Sequence, residues 1–251
     1  MGMNLRRVAK RFATNLRKFS HFVGRPLDRD VIAAAYLHGA GLEIGALHNP
    51  LPVPKLAHVK YVDRLSVEDL RNQYPELASE PLVHVDIVDN GEELATIPDA
   101  SQDFVIANHF LEHCQNPIRA LLNHFRVLKP DGILYLALPD KRYSFDSERP
   151  CTALDHLWRD FQEGPKWSRQ QHVEEYVRLV QKIRDHAEID KAIARLLETD
   201  YSIHYHVWTE IEMVEFLASV RQRLPLDFEF ELIFKNRLEI IFVLRKAGAP
   251  A

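Results

Sequence analysis

The sequence predicts an α/β fold, a doubly wound sheet of largely parallel strands with helices on both faces. Two observations carry this. Short apolar runs at 42–44, 59–62, 83–85, 104–107 and 133–138 alternate with helical patterns and turn-rich connections, as in a parallel sheet covered on both sides. Those runs end on glycine or polar residues at Gly45, Asp63, Asp86, Asn108 and Asp140, and strand ends are where open α/β sheets bind ligands.

The elements follow in order. Arg6, Arg7, Lys10, Arg11, Arg17, Lys18 and Arg25 all precede Asp28, the first acid. Leu5, Val8, Phe12, Leu16, Phe19 and Val23 recur at steps of three or four, which predicts an amphipathic basic helix. Two readings of residues 1–25 stay open. Either the helix lies on an anionic membrane surface, or its stripe packs on the protein's own body or on a partner in a homodimer. Pro26 and Asp28 end it, and a second helix is expected over 29–37. Gly39 and Gly41 lead into the first strand, and Ser66 with Asp69 caps a helix ending near Tyr74. Pro117 starts a helix that exits through Lys129, Pro130, Asp131 and Gly132 into the fully apolar fifth strand. From Tyr143 to about Ile203 the pattern is helical. Thr209 and Glu212 cap a helix over 211–220, and two strand-like runs at 227–234 and 238–244 close the chain. This divides the chain into basic helices at 1–38 and a main domain at 39–251, with a helical lid inserted at 143–203.

Composition narrows the function classes. A chain of 251 residues with 46% hydrophobic and 27% charged residues suits one globular domain with an elaboration. A formal charge of −4 argues against a surface built to bind nucleic acid. Cys114 and Cys151 form no C-x-x-C motif, which fits a reducing compartment. With no apolar run of about 18–20 residues, the expected location is cytoplasmic, at the inner face of the membrane if the basic helix binds there.

Five motifs stand at ordered intervals: G-L-E-I-G-A-L-H-N-P at 41–50, Y-V-D at 61–63, H-V-D-I at 84–87, I-P-D-A-S-Q-D-F-V-I-A-N-H-F-L-E-H at 97–113 and R-V-L-K-P-D-G-I-L-Y-L-A-L-P at 126–139. Together they resemble the class I S-adenosylmethionine-dependent methyltransferases, in particular the small bacterial group with Leu-Pro-Asp after a late strand and a Trp-Thr helix start downstream. The resemblance implies a Rossmann-like, seven-stranded sheet whose last strand is antiparallel, a helical cap, and S-adenosyl-L-methionine as cofactor. Glu43, Gly45 and Ala46 then belong to the loop that meets its amino-acid tail. Asp63, some twenty residues on, is placed to take the ribose hydroxyls. Asp86 and Ile87 match the adenine-contacting pair, and Asn108 and His109 lie beneath the methionine moiety. The first motif departs from the pattern, because Ala46, Leu47, His48, Asn49 and Pro50 stand where alternating glycines are usual. Pro50, Pro52 and Pro54 leave room for only a very short first helix.

A hydroxyl acceptor needs a base, whereas an amine needs only its neutral form. The candidates are His109, Asp140 and His206, with His204 beside the last. Two metal-like patterns compete with this reading. His109, Glu112 and His113 match an inverted zinc-protease motif, and His204 with His206 could ligate a divalent ion alongside Asp140 or His156. The expectation is no metal. In the insertion, Arg142 and Arg149 could hold an anionic group, while Trp158, Trp167, His172 and Tyr176 serve as lid or as core. The expected reaction is O-methylation of a sugar, a polysaccharide or a related hydroxyl acceptor. The alternatives are N- or C-methylation of a small metabolite and a cofactor-binding scaffold without turnover.

Overall fold

The computed structural model describes residues 26–248, so the basic helix expected at 1–25 lies outside the described residues. Asp28 caps the first helix, α1 (Arg29–Tyr36), its carboxylate accepting the Val31 N–H at 2.9 Å. Strands β1 (Gly39–Ile44) and β2 (Ala57–Asp63) follow. Next come α2 (Val67–Gln73), with Ser66 as its cap, and β3 (Ile87–Val88). Beyond β4 (Gln102–Asn108) lie α3 (Pro117–Val127) and β5 (Leu128–Pro139). Three helices form the cap: α4 (Leu154–Glu163), α5 (Lys166–Leu179) and α6 (His186–Glu198). Helix α7 (Glu210–Arg223) starts on the Thr209–Glu212 capping box, and β6 (Phe228–Asn236) and β7 (Glu239–Lys246) close the fold.

The seven strands form one sheet in the order β3-β2-β1-β4-β5-β7-β6. The pairs from β3 to β5 are parallel, and β7 is antiparallel to both β5 and β6. Alternation along β5 divides two cores. Leu134, Leu136 and Leu138 face a cluster with Leu121, Phe125, Leu157, Phe216 and Leu217 from α3, α4 and α7. Ile133, Tyr135 and Ala137 face Ile32, Ala33 and Tyr36 of α1 and Leu37, which caps it. The cap has its own core of Val173, Val177, Ile189, Leu196, Ile203 and Tyr205. Among the described residues no helix is long and apolar enough to cross a membrane.

Two expectations need correction. No helix, however short, links β1 to β2: residues 45–56 are loop and turn. Leu51, buried, and Val53 of this proline-rich loop pack into the α1 cluster, covering the face where a crossover helix would lie. Glu43, 1% exposed, accepts the Leu51 N–H at 2.9 Å and so pins the loop under the sheet. The third strand is at 87–88 rather than 83–85. Asp86 gives its N–H to the Tyr61 carbonyl and takes the Tyr61 N–H on Oδ2 at 2.8 Å. Its side chain thus does the work of a strand carbonyl, and the ladder begins one residue later.

Candidate active site

The C-terminal ends of β1 to β4 open onto one cleft of about 470 Å³. At the end of β1, Gly45 has φ +64° and Leu47 φ +48°, so the chain turns sharply away and exposes backbone to the cleft. Asp63 ends β2 on the cleft wall. Burial pushes its carboxyl above the usual range, against the backbone N–H groups of Leu65 and Arg64 and the Arg64 charge. After β3 the wall continues through Asn90, Gly91 and Glu92. A Cβ on Gly91 would lie 2.5 Å from both Ile44 and Phe110, so this turn can sit close to β1 only as glycine. Its carbonyl accepts from His124 at 2.9 Å, and the Glu92 carboxylate takes the Gln115 and Asn116 N–H groups ahead of α3.

The opposite wall comes from the cap through Asp200, Tyr201, Ser202 and Tyr205. It is tied to the sheet side at several points. Arg64 donates to Asp200 at 2.9 Å and to the Tyr74 hydroxyl at 2.8 Å. The Tyr201 hydroxyl donates to Glu76 at 2.8 Å, and Gln73 to the Thr199 carbonyl at 2.8 Å.

His109 stands at the end of β4 with φ +48°, a conformation that a non-glycine residue adopts at a cost and that turns it over the cleft. Its side chain is 43% exposed. Its Nε2 lies 2.8 Å from Glu239 Oε2 and its Nδ1 3.5 Å from Glu112. Burial works against the charged ring, but the Glu239 bond and the two carboxylates outweigh it and hold the imidazole above its ordinary value. Glu239 is itself gripped by Arg29 at 2.6 Å and by Asn236 at 2.7 Å. Despite its burial, these donors hold it down at about 2. His113 also faces the cleft, its Nδ1 3.0 Å from both the Ile203 carbonyl and the Ser202 hydroxyl. Burial lowers it to about 3, so the ring is neutral.

The other expected site residues lie elsewhere. Asp140 is fully buried, away from the cleft wall, its carboxylate occupied by the Arg142 guanidinium and N–H. It has no free edge for a substrate proton. His206 is fully buried beneath the cap, with His156, His172 and Asp160 as neighbours. His204 does not join it but binds Asp146 at 2.6 Å. Arg149 is also buried, bound to Asp146 and Glu175 and to the His204 carbonyl, so it is not free to hold an anion. Glu43 supports the cleft from below, and Ala46 turns its carbonyl to Asn49. Asp86 and Ile87 precede the cleft segment, which Asn90, Gly91 and Glu92 form instead. Asn108 adjoins the cleft floor without lining it, and its buried amide lacks a hydrogen-bond partner among the described residues.

Glu239 and Arg29 are not legible as site residues from local sequence order. The one available signal was a lone acid opening an otherwise apolar strand at 239–244. Asn90, Gly91 and Glu92 were missed because the preceding strand is two residues long.

The cleft fits a nucleoside with an amino-acid tail. It has open backbone at Gly45, an acid at Asp63, a close-packed glycine at Gly91 and an unsatisfied amide at Asn108. Residues 42–136 match a family model described as a methyltransferase domain. None of the curated proteins compared matches the sequence. Among solved structures, a candidate zinc-dependent alcohol dehydrogenase from Rhodobacter sphaeroides superimposes with TM-score 0.53 at 16% identity, over 94% of this chain and 98% of that one. At that identity the likeness concerns the fold. A SAM-dependent methyltransferase from Methanosarcina mazei gives TM-score 0.41 at 19% identity, covering 90% of this chain and 97% of its own. One from Aquifex aeolicus gives 0.43 at 13%, covering 84% and 83%. The family match falls on the strands that build the cleft, and this likeness to a methyltransferase domain implies S-adenosyl-L-methionine as the cofactor.

Proposed function

We propose that the protein transfers a methyl group from S-adenosylmethionine to a hydroxyl of a sugar or glycan, with His109 as the general base. One observation carries this reading. The imidazole stands on the cleft wall, held by a carboxylate that is itself held by Arg29 and Asn236. A base oriented by a third group is the arrangement that activates hydroxyls. Amine acceptors have less need of one. Bound S-adenosylmethionine would supply an electrophilic methyl group, and positioning provides much of the rate in such a displacement.

Asp63 is the group for the ribose hydroxyls, and the Gly45 turn the one for the amino-acid tail. Asn90 and Gly91 take the adenine-facing role first expected of Asp86 and Ile87. His109 accepts the hydroxyl proton as the oxygen attacks, and Glu239 stabilises the imidazolium that results. The sugar assignment draws support from both walls of the cleft. Tyr74, Tyr201 and Tyr205 offer flat apolar faces, and Glu76, Asp200 and Ser202 offer acceptors. A polyhydroxylated ring, with its alternating C–H and O–H surfaces, matches such a wall.

The test combines turnover on a panel of glycoside and amine acceptors with calorimetric titration of S-adenosylmethionine. Asp63→Ala should abolish cofactor binding. His109→Ala should keep that binding and lose roughly 10²–10⁴-fold in kcat on the glycoside. Unchanged kcat in His109→Ala, or turnover confined to amines, would overturn the assignment.

A further inference from the structure

Beneath the cap, away from the cleft, four ligand-type side chains converge and leave several buried polar atoms without a hydrogen-bond partner among the described residues. His156 and Asp160 come from successive turns of α4, His172 from α5, and His206 from the extended segment before α7. One ligand atom from each lies within 4.8 Å of all the others. His156 Nε2 is 2.9 Å from His172 Nε2 and 3.1 Å from Asp160 Oδ2, and His206 Nε2 is 3.7 Å from the same oxygen. Bonds of about 2.0–2.1 Å at tetrahedral angles place ligand atoms roughly 3.3–3.4 Å apart, and the observed separations bracket that value.

The loose ends point the same way. Both ring nitrogens of His206 and Oδ2 of Asp160 are buried without a hydrogen-bond partner among the described residues. Asp160 and His206 are 0% exposed. A buried carboxylate facing only imidazoles is costly unless a cation joins it. Ser168 donates to the other oxygen, Oδ1, at 2.8 Å and thereby fixes which oxygen faces the cluster, the kind of support that outer hydrogen bonds give metal ligands. Trp208 stacks near His206, and Trp167 packs against His156, so aromatic walls enclose the centre.

We propose that His156, Asp160, His172 and His206 form a closed, four-ligand structural site for one divalent cation of the zinc class. Three imidazoles and a carboxylate favour zinc over the hard, oxygen-seeking cations. Four protein ligands leave no open position, so the site holds structure and performs no catalysis. It would fasten α4 and α5 to the 203–208 segment, which carries Tyr205 to the cleft and hangs its Tyr205 N–H on the Glu112 carbonyl at 2.7 Å. The nearby trio of Glu112, His113 and His204 is a weaker candidate, because Nδ1 of His113 and Nδ1 of His204 already have partners.

The test uses the full chain, purified without chelator, with metal content measured by mass spectrometry. Metal-stripped protein is then titrated with zinc chloride, and with cobalt chloride while visible absorption is recorded. Expected are about one equivalent of metal per chain and the intense d–d bands of tetrahedral cobalt. His172→Ala and Asp160→Asn should each weaken zinc binding by more than about tenfold, whereas His84→Ala, at an exposed position, should not. Circular dichroism on each variant separates ligand loss from misfolding. A folded wild-type chain that takes up no zinc would overturn the site, as would zinc uptake unchanged in both ligand variants.

Discussion

At His109, burial and two carboxylates compete for the imidazole proton, and the carboxylates prevail. A general base acts in its neutral form, so kcat/KM should rise with pH through the raised His109 value and level off above it. Glu239→Gln keeps a hydrogen-bond acceptor but removes one of the two anions that hold the ring up against burial. The inflection should then move to lower pH, with a smaller plateau rate because the imidazolium loses a counter-charge. A profile that does not move on this substitution would separate His109 from the rate-limiting proton transfer. Only part of this was legible in the sequence. His109 could be read from its place after an apolar strand, a matter of local order along the chain. Its partners Glu239 and Arg29 could not, being 130 and 210 positions from what they bind. Asp140 and His206 had the right residue types at promising positions, yet burial and side-chain direction take both out of the cleft.

Among the elements, the loop from β1 to β2 departs most from the alternation of strand and helix, and a single carboxyl anchors it. Glu43 is pushed up to about 7 by burial, although the Leu51 N–H and the Arg29 charge favour its ionised form. A carboxyl raised on folding stabilises fully below its unfolded value near 4.5, and that contribution is lost as pH rises through about 7. The whole effect is on the order of 3 kcal/mol. Glu43→Gln retains an acceptor for Leu51 without the titration. Buried neutral histidines such as His113 make both proteins gain stability as pH rises from 5. Urea unfolding at pH 5 and pH 8 should therefore show the wild type losing stability relative to the variant across this window. A constant difference between the two would remove Glu43 as the cause. The proline spacing already excluded a long helix here, but not the complete absence of one, which depends on α1 and Leu51 covering the sheet from elsewhere in the chain. The third strand was misplaced for a related reason. Residues 83–85 are apolar enough for a strand, but a strand needs a partner, and β2 offers its free edge only at Val62 and Asp63.

Across the whole molecule, the sheet and the cap make up the two walls of the cleft, and a polar clamp joins them at its mouth. Asp200 is the centre of the clamp, bound by Arg64 at 2.9 Å and by Arg169, with Arg64 also held by the Tyr74 hydroxyl. Asp200 is 57% exposed and Arg64 36%, so each pair is worth only about 0–1 kcal/mol to folding. The cap has its own apolar core, to which Arg64, Arg169 and Asp200 do not belong. These magnitudes assign the clamp to the opening of the cleft rather than to the stability of the fold. Asp200→Asn should therefore change unfolding free energy by less than about 1 kcal/mol, while hydrogen exchange over 199–205 speeds up and S-adenosylmethionine leaves several-fold faster. Added salt should produce the same acceleration in the wild type, because exposed ion pairs are screened, and should have little effect in the variant. Equal dissociation rates for the two proteins at low salt would mean that the cap wall stays in place without Asp200, held by the Tyr201–Glu76 and Gln73–Thr199 bonds that remain.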